Sequence, residues 1–195
     1  IETVCRDGDA SGATDVGVTD ESIQIGTITD KGYVGLPGLT REMLDAAQAF
    51  ADWCNEHGGI NGRELVVADR DAAILDYNAR IVEACTADFA LVGGGGALDD
   101  ADNGARIECG LPNIPAYVVS EAARNVGADD GLQVQPVPNP SAAFNAGIYQ
   151  QVADRFPEVT GGFGVMTASF GSTLALRDQT IAAVEAVGYD VVYSE

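Results

Sequence analysis

Apolar and polar positions along this chain switch repeatedly between a period of two and a period near 3.6. SIQIGTIT, residues 22–29, alternates as a strand with one buried face does, and residues 30–38 follow as a loop holding three glycines and a proline. Leu39, Met43, Ala46, Phe50 and Trp53 then recur at helical spacing, which predicts an amphipathic helix that stops at Gly58 and Gly59. The same alternation repeats: a strand over 65–68, a helix carrying Tyr77, Ile81, Val82 and Cys85, and an apolar run over 89–92 that enters four consecutive glycines, 93–96. A third helix carries Leu98, Ala101, Ala105 and Cys109 and ends at Gly110 and Pro112, and residues 115–119 predict a fourth strand. Four strand-helix steps in succession predict an α/β fold with a doubly wound parallel sheet.

The second part of the chain repeats the rhythm without completing it. Residues 132–137 predict one more short strand, and the PNP at 138–140 is poorly suited to any regular element, so it marks a domain crossing. Beyond it come a helix capped by Ser141 and carrying Phe144, Ile148, Val152 and Phe156, a strand over 163–166, a helix with Leu174, Ile181 and Val184, and a strand beginning at Val191. So few elements cannot cover both faces of a sheet. The organisation expected is an N-terminal extension over 1–20, a first α/β lobe over 21–136 and a partial second α/β lobe over 137–195.

The glycine run is the candidate site. Glycines at the carboxyl end of a parallel strand let backbone come close to something, and a helix start just after them favours negative charge, so the stretch reads as a seat for an anion or small ligand. A tight turn with no ligand explains the same residues. Asp99, Asp100 and Asp102 suit the positive end of a helix dipole and need no magnesium ion to account for them. The loops at 30–35 and 93–98 and Ser120 are expected on one rim, at the point where the strand order reverses.

Other chemistries lack their residues. The glycines follow the third strand and have no G-x-G-x-x-G spacing, which excludes the dinucleotide fingerprint. Ser169 lacks the first glycine of a nucleophile elbow, and the single histidine, His57, sits in the last turn of the first helix as a cap. The DGDASGATD run at 7–15 lacks the closing glutamate of a calcium loop and reads, with the rest of the first nineteen residues, as solvated linker. Neither a catalytic base nor a cofactor motif is present, so binding is favoured over catalysis.

Charge narrows the partners. Thirty acidic residues oppose ten basic ones, of which Lys31 alone is lysine, giving a net charge of −20. Nucleic acid is excluded because no basic stripe exists, and the acidic surface fits a salty or extracellular setting. No run approaches the length of a membrane span. Cys5, Cys54, Cys85 and Cys109 are too widely spaced for a metal knuckle, leaving two disulfides in an oxidising compartment or four buried thiols. With a strand order of 2-1-3-4, right-handed crossovers put the second and third helices side by side, which would pair Cys85 with Cys109 and leave Cys5 for Cys54.

GVTDESIQIGTI (17–28), WCNEHGGINGRELVV (53–67), ALVGGG (90–95) and LPNIPAYVVS (111–120) resemble the type I periplasmic binding proteins, in particular the branched-chain amino-acid receptors of ABC transporters. The resemblance implies a two-lobed, non-enzymatic protein without a cofactor that closes on a small-molecule solute and delivers it to a membrane permease outside the cytoplasm. It implies ligand contacts at Gly95, Gly96, Ala97 and Leu98 through backbone amides, since side-chain hydroxyls are absent there, together with Tyr33, Ser120 and, from the second lobe, Phe170. Members of that family run well beyond this length, so the chain reads as part of a longer receptor. A ligand-sensing ectodomain and a doubly wound enzyme using the glycine loop are the alternative readings.

Overall fold

The structure is a computed structural model, and it describes residues 4–100, 103–125, 132–134, 145–169 and 171–195. Its elements in chain order are β1 (Ser22–Thr29), α1 (Arg41–Glu56), β2 (Glu64–Asp71), α2 (Tyr77–Ala87), β3 (Ala90–Val92), α3 (Asn103–Glu108), β4 (Asn113–Ile114) and α4 (Glu121–Asn125). After these come α5 (Gly147–Arg155), a 3-10 turn (Pro157–Gly161), β5 (Phe163–Val165), α6 (Gly171–Ala186) and β6 (Val191–Ser194).

β1 to β4 form one parallel sheet in the order β2-β1-β3-β4. β1 pairs with β2 from Ser22 opposite Glu64 to Thr29 opposite Asp71, and with β3 at Ile25 opposite Ala90. As the central strand it loses the alternation of its sequence: residues 25–30 are buried on both faces, including Thr27 and Thr29. Ile28, Tyr77, Ile81, Ala84, Leu91 and Leu111 form the core on the α2 and α3 side, while Ile25, Ala51 and Leu65 form a smaller one under α1. The remaining face of α1 differs from expectation, because Met43, Ala46 and Phe50 line an open groove of about 370 Å³ beside β3 instead of a closed core. β5 and β6 make a separate parallel pair.

Right-handed crossovers place α2 and α3 together, and Cys85 and Cys109 are bridged there with 5.9 Å between Cα atoms. Cys5 is bridged to Cys54 with 5.0 Å between Cα atoms. That second bridge is part of a strap, which corrects the reading of the first residues as solvated linker. Arg6 N–H donates to Gly59 O and Ala10 N–H to Asn61 O, and the Arg63 guanidinium donates to Thr19 O at 2.7 Å and Gly12 O at 2.9 Å. Gly58 and Gly62 stand so close to Asp7 and Gly8 that a Cβ on either would come within 3.0 Å of them. The GGINGR turn is therefore the seat of the strap. Backbone hydrogen bonds and a covalent bridge hold this segment, so no apolar period announced it.

Two other elements shift. Leu91 N–H donates to Pro112 O and Gly93 N–H to Ile114 O, so β4 pairs at 113–114, before the predicted 115–119, where Pro115 removes a donor. Asn113 also brackets residues 132–134, donating to Leu132 O and accepting from Val134 N–H, which extends the sheet beyond β4. The third helix begins at Asn103, because residues 97–100 turn and send Asp99 inward. The predicted PNP crossing at 138–140, the strand beyond 134, and Ser141 and Phe144 lie outside the described residues.

Candidate functional site

Parallel pairing brings the loops after β1, β2, β3 and β4 to one edge of the sheet, and three aspartates tie that rim together. Asp30, at the end of β1 and fully buried, accepts Ile74 N–H at 2.6 Å and Ala97 N–H at 2.8 Å. Asp71, at the end of β2, accepts Gly32 N–H at 3.1 Å and Ala73 N–H at 3.0 Å through one oxygen. Asp99, 2% exposed, accepts Val119 N–H and Ser120 N–H at 2.7 Å each. Each carboxylate thus joins two backbone N–H groups, and the six donors come from all four loops.

The loop after β2 shows what these bonds hold in place. Ala73 and Ile74 have φ of 45° and 72°, in the left-handed region that a β-branched residue strongly disfavours. Both N–H groups are fixed by rim carboxylates, Ala73 by Asp71 and Ile74 by Asp30. The surrounding structure over-determines the strained turn.

The glycines allow close approach, as their sequence suggested, but what approaches is protein. A Cβ at Gly94 would come within 3.0 Å of the Ile28 backbone, one at Gly95 of the Tyr117 ring, and one at Gly96 of the Tyr77 ring. Beneath the loop, Ile28, Tyr77, Leu91, Asp99, Asn113 and Tyr117 enclose about 10 Å³, room for no more than one water. Burial raises the pKa of Tyr77 and Tyr117 well above the usual phenol range, so both stay neutral. Burial also raises Asp99, against the hydrogen bonds from Val119 and Ser120 that lower it.

The site residues expected from sequence divide by what their polar groups do. Gly95 N–H donates to Ile28 O and Ala97 N–H to Asp30, while the N–H groups of Gly96 and Leu98 make no hydrogen bond to another described residue. Ser120 is 2% exposed, and its hydroxyl accepts Ala123 N–H at the start of α4 and bonds to Asp99. Tyr33 is partly exposed on the loop after β1, with its ring folded onto Gly35. Phe170 lies outside the described residues.

The second α/β unit meets this rim directly. Ser172, fully buried in the first turn of α6, donates to Ala97 O at 3.3 Å, and the Asp100 carboxylate lies against Gly171 at the positive end of that helix. Arg124 on α4 bonds to Gln179 on α6.

No protein-family model and no curated protein sequence matches the chain. Solved structures do. A fatty acid ABC transporter substrate-binding protein from Thermomonospora curvata superposes with a TM-score of 0.69 at 21% identity, over 97% of this chain and 48% of that one. An ABC transporter substrate-binding protein from Desulfitobacterium hafniense gives 0.62 at 18% identity, over 90% and 50%. The branched-chain amino acid transporter substrate-binding protein of Streptococcus pneumoniae, in complex with isoleucine, gives 0.60 at 15% identity, over 90% and 49%. The chain has the fold of the type I periplasmic binding proteins. It spans about half the length of the structures it matches.

Within this binding-protein fold, sequence reasoning missed Asp30 and Asp71 as organisers of the rim. For Asp30 the available signal was an aspartate directly after the first predicted strand; Asp71 carried none, because the second strand runs three residues past its predicted end at 68. Arg106 was missed as well: it is fully buried and donates to Leu111 O, Leu132 O and the Gln133 side chain, so it fastens residues 132–134 to β4. His57 closes α1, where its Nδ1 lies 2.7 Å from Trp53 O, at the edge of the sheet away from the rim.

Proposed function

We propose that this chain is the solute-binding part of an extracytoplasmic receptor for an ABC transporter, taking up a small organic solute where the first lobe, residues 21–136, faces the second, from residue 137 on. The observation that carries the reading is the meeting of the rim loops with the first turn of α6, on a fold shared with substrate-binding proteins of such transporters. An open α/β sheet offers ligands its crevice at the switch point between β1 and β3, and a second unit closing over it shields polar contacts from water. Among the expected site residues, Tyr33 and the N–H groups of Gly96 and Leu98 have capacity for a ligand, Gly95, Ala97 and Ser120 shape the loop, and Phe170 would supply the opposite wall. The partner would be a membrane permease. Two disulfides and an acidic surface support a location outside the cytoplasm.

Binding is preferred to catalysis because the only histidine is spent as a cap far from the rim. The test is mass spectrometry of solutes released from the purified chain, followed by calorimetry with each solute found. Saturable binding weakened tenfold or more by Tyr33→Ala is the expected result. A solute that returns chemically altered, or binding indifferent to every rim substitution, would contradict the reading.

A further inference from the structure

The rim looks like an anion seat in sequence, yet six of its donors are already held by the chain's own carboxylates. Of the backbone N–H groups at this edge, Ile74 and Ala97 are held by Asp30, Gly32 and Ala73 by Asp71, and Val119 and Ser120 by Asp99. The first and last of these carboxylates are at least 98% buried, so no solute displaces them by competing from water. Two cations nearby have partners as well: Lys31 pairs with Asp69 at 2.9 Å, and Arg124 bonds to Gln179. Beside the glycine loop, where the N–H groups of Gly96 and Leu98 make no bond to another described residue, the rim presents Tyr33 and the field of Asp30, Asp99 and Asp100.

We propose that the chain's own aspartates close this seat to carboxylates, so that the solute carries no free carboxylate and is an uncharged or cationic organic molecule. The inference rests on the receptor reading and specifies its ligand. A carboxylate entering here would find those six donors taken and like charges beside it, and both effects work against it. A carbonyl or hydroxyl oxygen can still accept from Gly96 and Leu98, and a neutral or positive group meets no repulsion. Tyr33 can face an organic cation with its ring.

Two measurements test this. The first is calorimetry of the wild-type chain with matched pairs: leucine and leucinamide, hexanoate and hexanamide, 3,4-dihydroxybenzoate and its amide. The amide of a pair is expected to bind at least tenfold more tightly than its acid, and an acid that binds as tightly as its amide overturns the proposal. The second uses Asp30→Gly, which vacates the seat between Ile74 and Ala97. Formate should raise its Tm saturably, by about 3 °C or more near tenfold excess over Kd, beyond a sodium chloride control, while leaving wild type at the control value. Equal formate shifts in the two proteins overturn the claim that Asp30 fills the seat. Should Asp30→Gly fail to fold, Asp30→Ala, which also removes the carboxylate and leaves the space between Ile74 and Ala97 open, takes the same formate titration with the same criterion. Formate rescue with no binding of any probe would uphold the closed seat and refute the receptor reading, so the two failures are distinguishable.

Discussion

Replacing Asp99 by alanine removes one side chain and strands two backbone donors. Val119 and Ser120 give their N–H groups to its two oxygens at 2.7 Å, in a position 2% exposed. A hydrogen bond to a charged group contributes about 1.5–3 kcal/mol, and an unpaired buried donor costs about 1–3 kcal/mol, so the bonds alone suggest a gross loss of roughly 3–6 kcal/mol. Burying the carboxylate works in the other direction, as its raised pKa records, so the lower end of that range, about 3 kcal/mol, is the expected loss. For a chain of this size that corresponds to a Tm lower by about 6–12 °C. The Asp99→Asn variant retains one acceptor and should lose about half as much.

The pH dependence gives a second, independent reading of the same group. Because the folded pKa of Asp99 lies above its ordinary value of 3.8, its contribution is full below that value and is lost as pH rises through the folded pKa. The stability gap between wild type and Asp99→Asn should therefore be widest in acid and narrow toward neutrality. Urea unfolding of the three proteins at a series of pH values, followed by circular dichroism, measures both quantities. An Asp99→Ala protein melting within about 2 °C of wild type would mean that water reaches Val119 and Ser120 N–H after the change, and that the carboxylate does not organise the rim.

Three further outcomes are expected. Removing the Cys5–Cys54 bridge by paired serine substitution should cost about 4 kcal/mol and removing Cys85–Cys109 about 3.5 kcal/mol, from separations of 49 and 24 residues, and graded reductant with peptide mapping should open the exposed Cys109 bridge first. Gly95→Ala and Gly96→Ala should each destabilise by about 1–3 kcal/mol by thermal melting, since their new methyl groups meet the Tyr117 and Tyr77 rings, whereas Gly93→Asn should be milder because Gly93 has φ of 73° and open space around its Cβ direction. Arg63→Met should free the carbonyls of Gly12 and Thr19, so limited proteolysis should cut between residues 8 and 20 at least several times faster than in wild type while the remaining fold keeps its circular dichroism.

The sheet was legible because its strands carry their own signal. β1 matches the alternating run 22–29 residue for residue, and the order β2-β1-β3-β4 has the first and third strands side by side, as the doubly wound reading expected. The position of the glycine loop was legible too. Its use was not, since a glycine reports only that something lies close, and here the neighbours are Ile28, Tyr77 and Tyr117. Asp99 read as a helix-start charge because a one-dimensional pattern shows the residues adjoining it and not Val119 and Ser120, about twenty residues further along the chain. Asp30 and Asp71 escaped for the same reason: their partners lie in other loops. The strap escaped because segments held by backbone bonds, Arg63 and a disulfide need no apolar stripe.

The left-handed turn at Ala73 and Ile74 carries a consequence for how this sequence can change over generations. Glycine or asparagine would occupy those backbone angles with little strain, yet the chain keeps alanine and isoleucine there. They are tolerable only while Asp71 and Asp30 hold their N–H groups, so the four positions form one heritable unit. A lineage that loses either aspartate should acquire glycine or asparagine at 73 or 74 soon afterwards, and one that acquires glycine there first is free to lose the aspartate. In that second lineage, losing Asp30 reopens the seat at Ala97 and strands its N–H, so the change persists only where another acceptor, a solvent anion included, takes that donor.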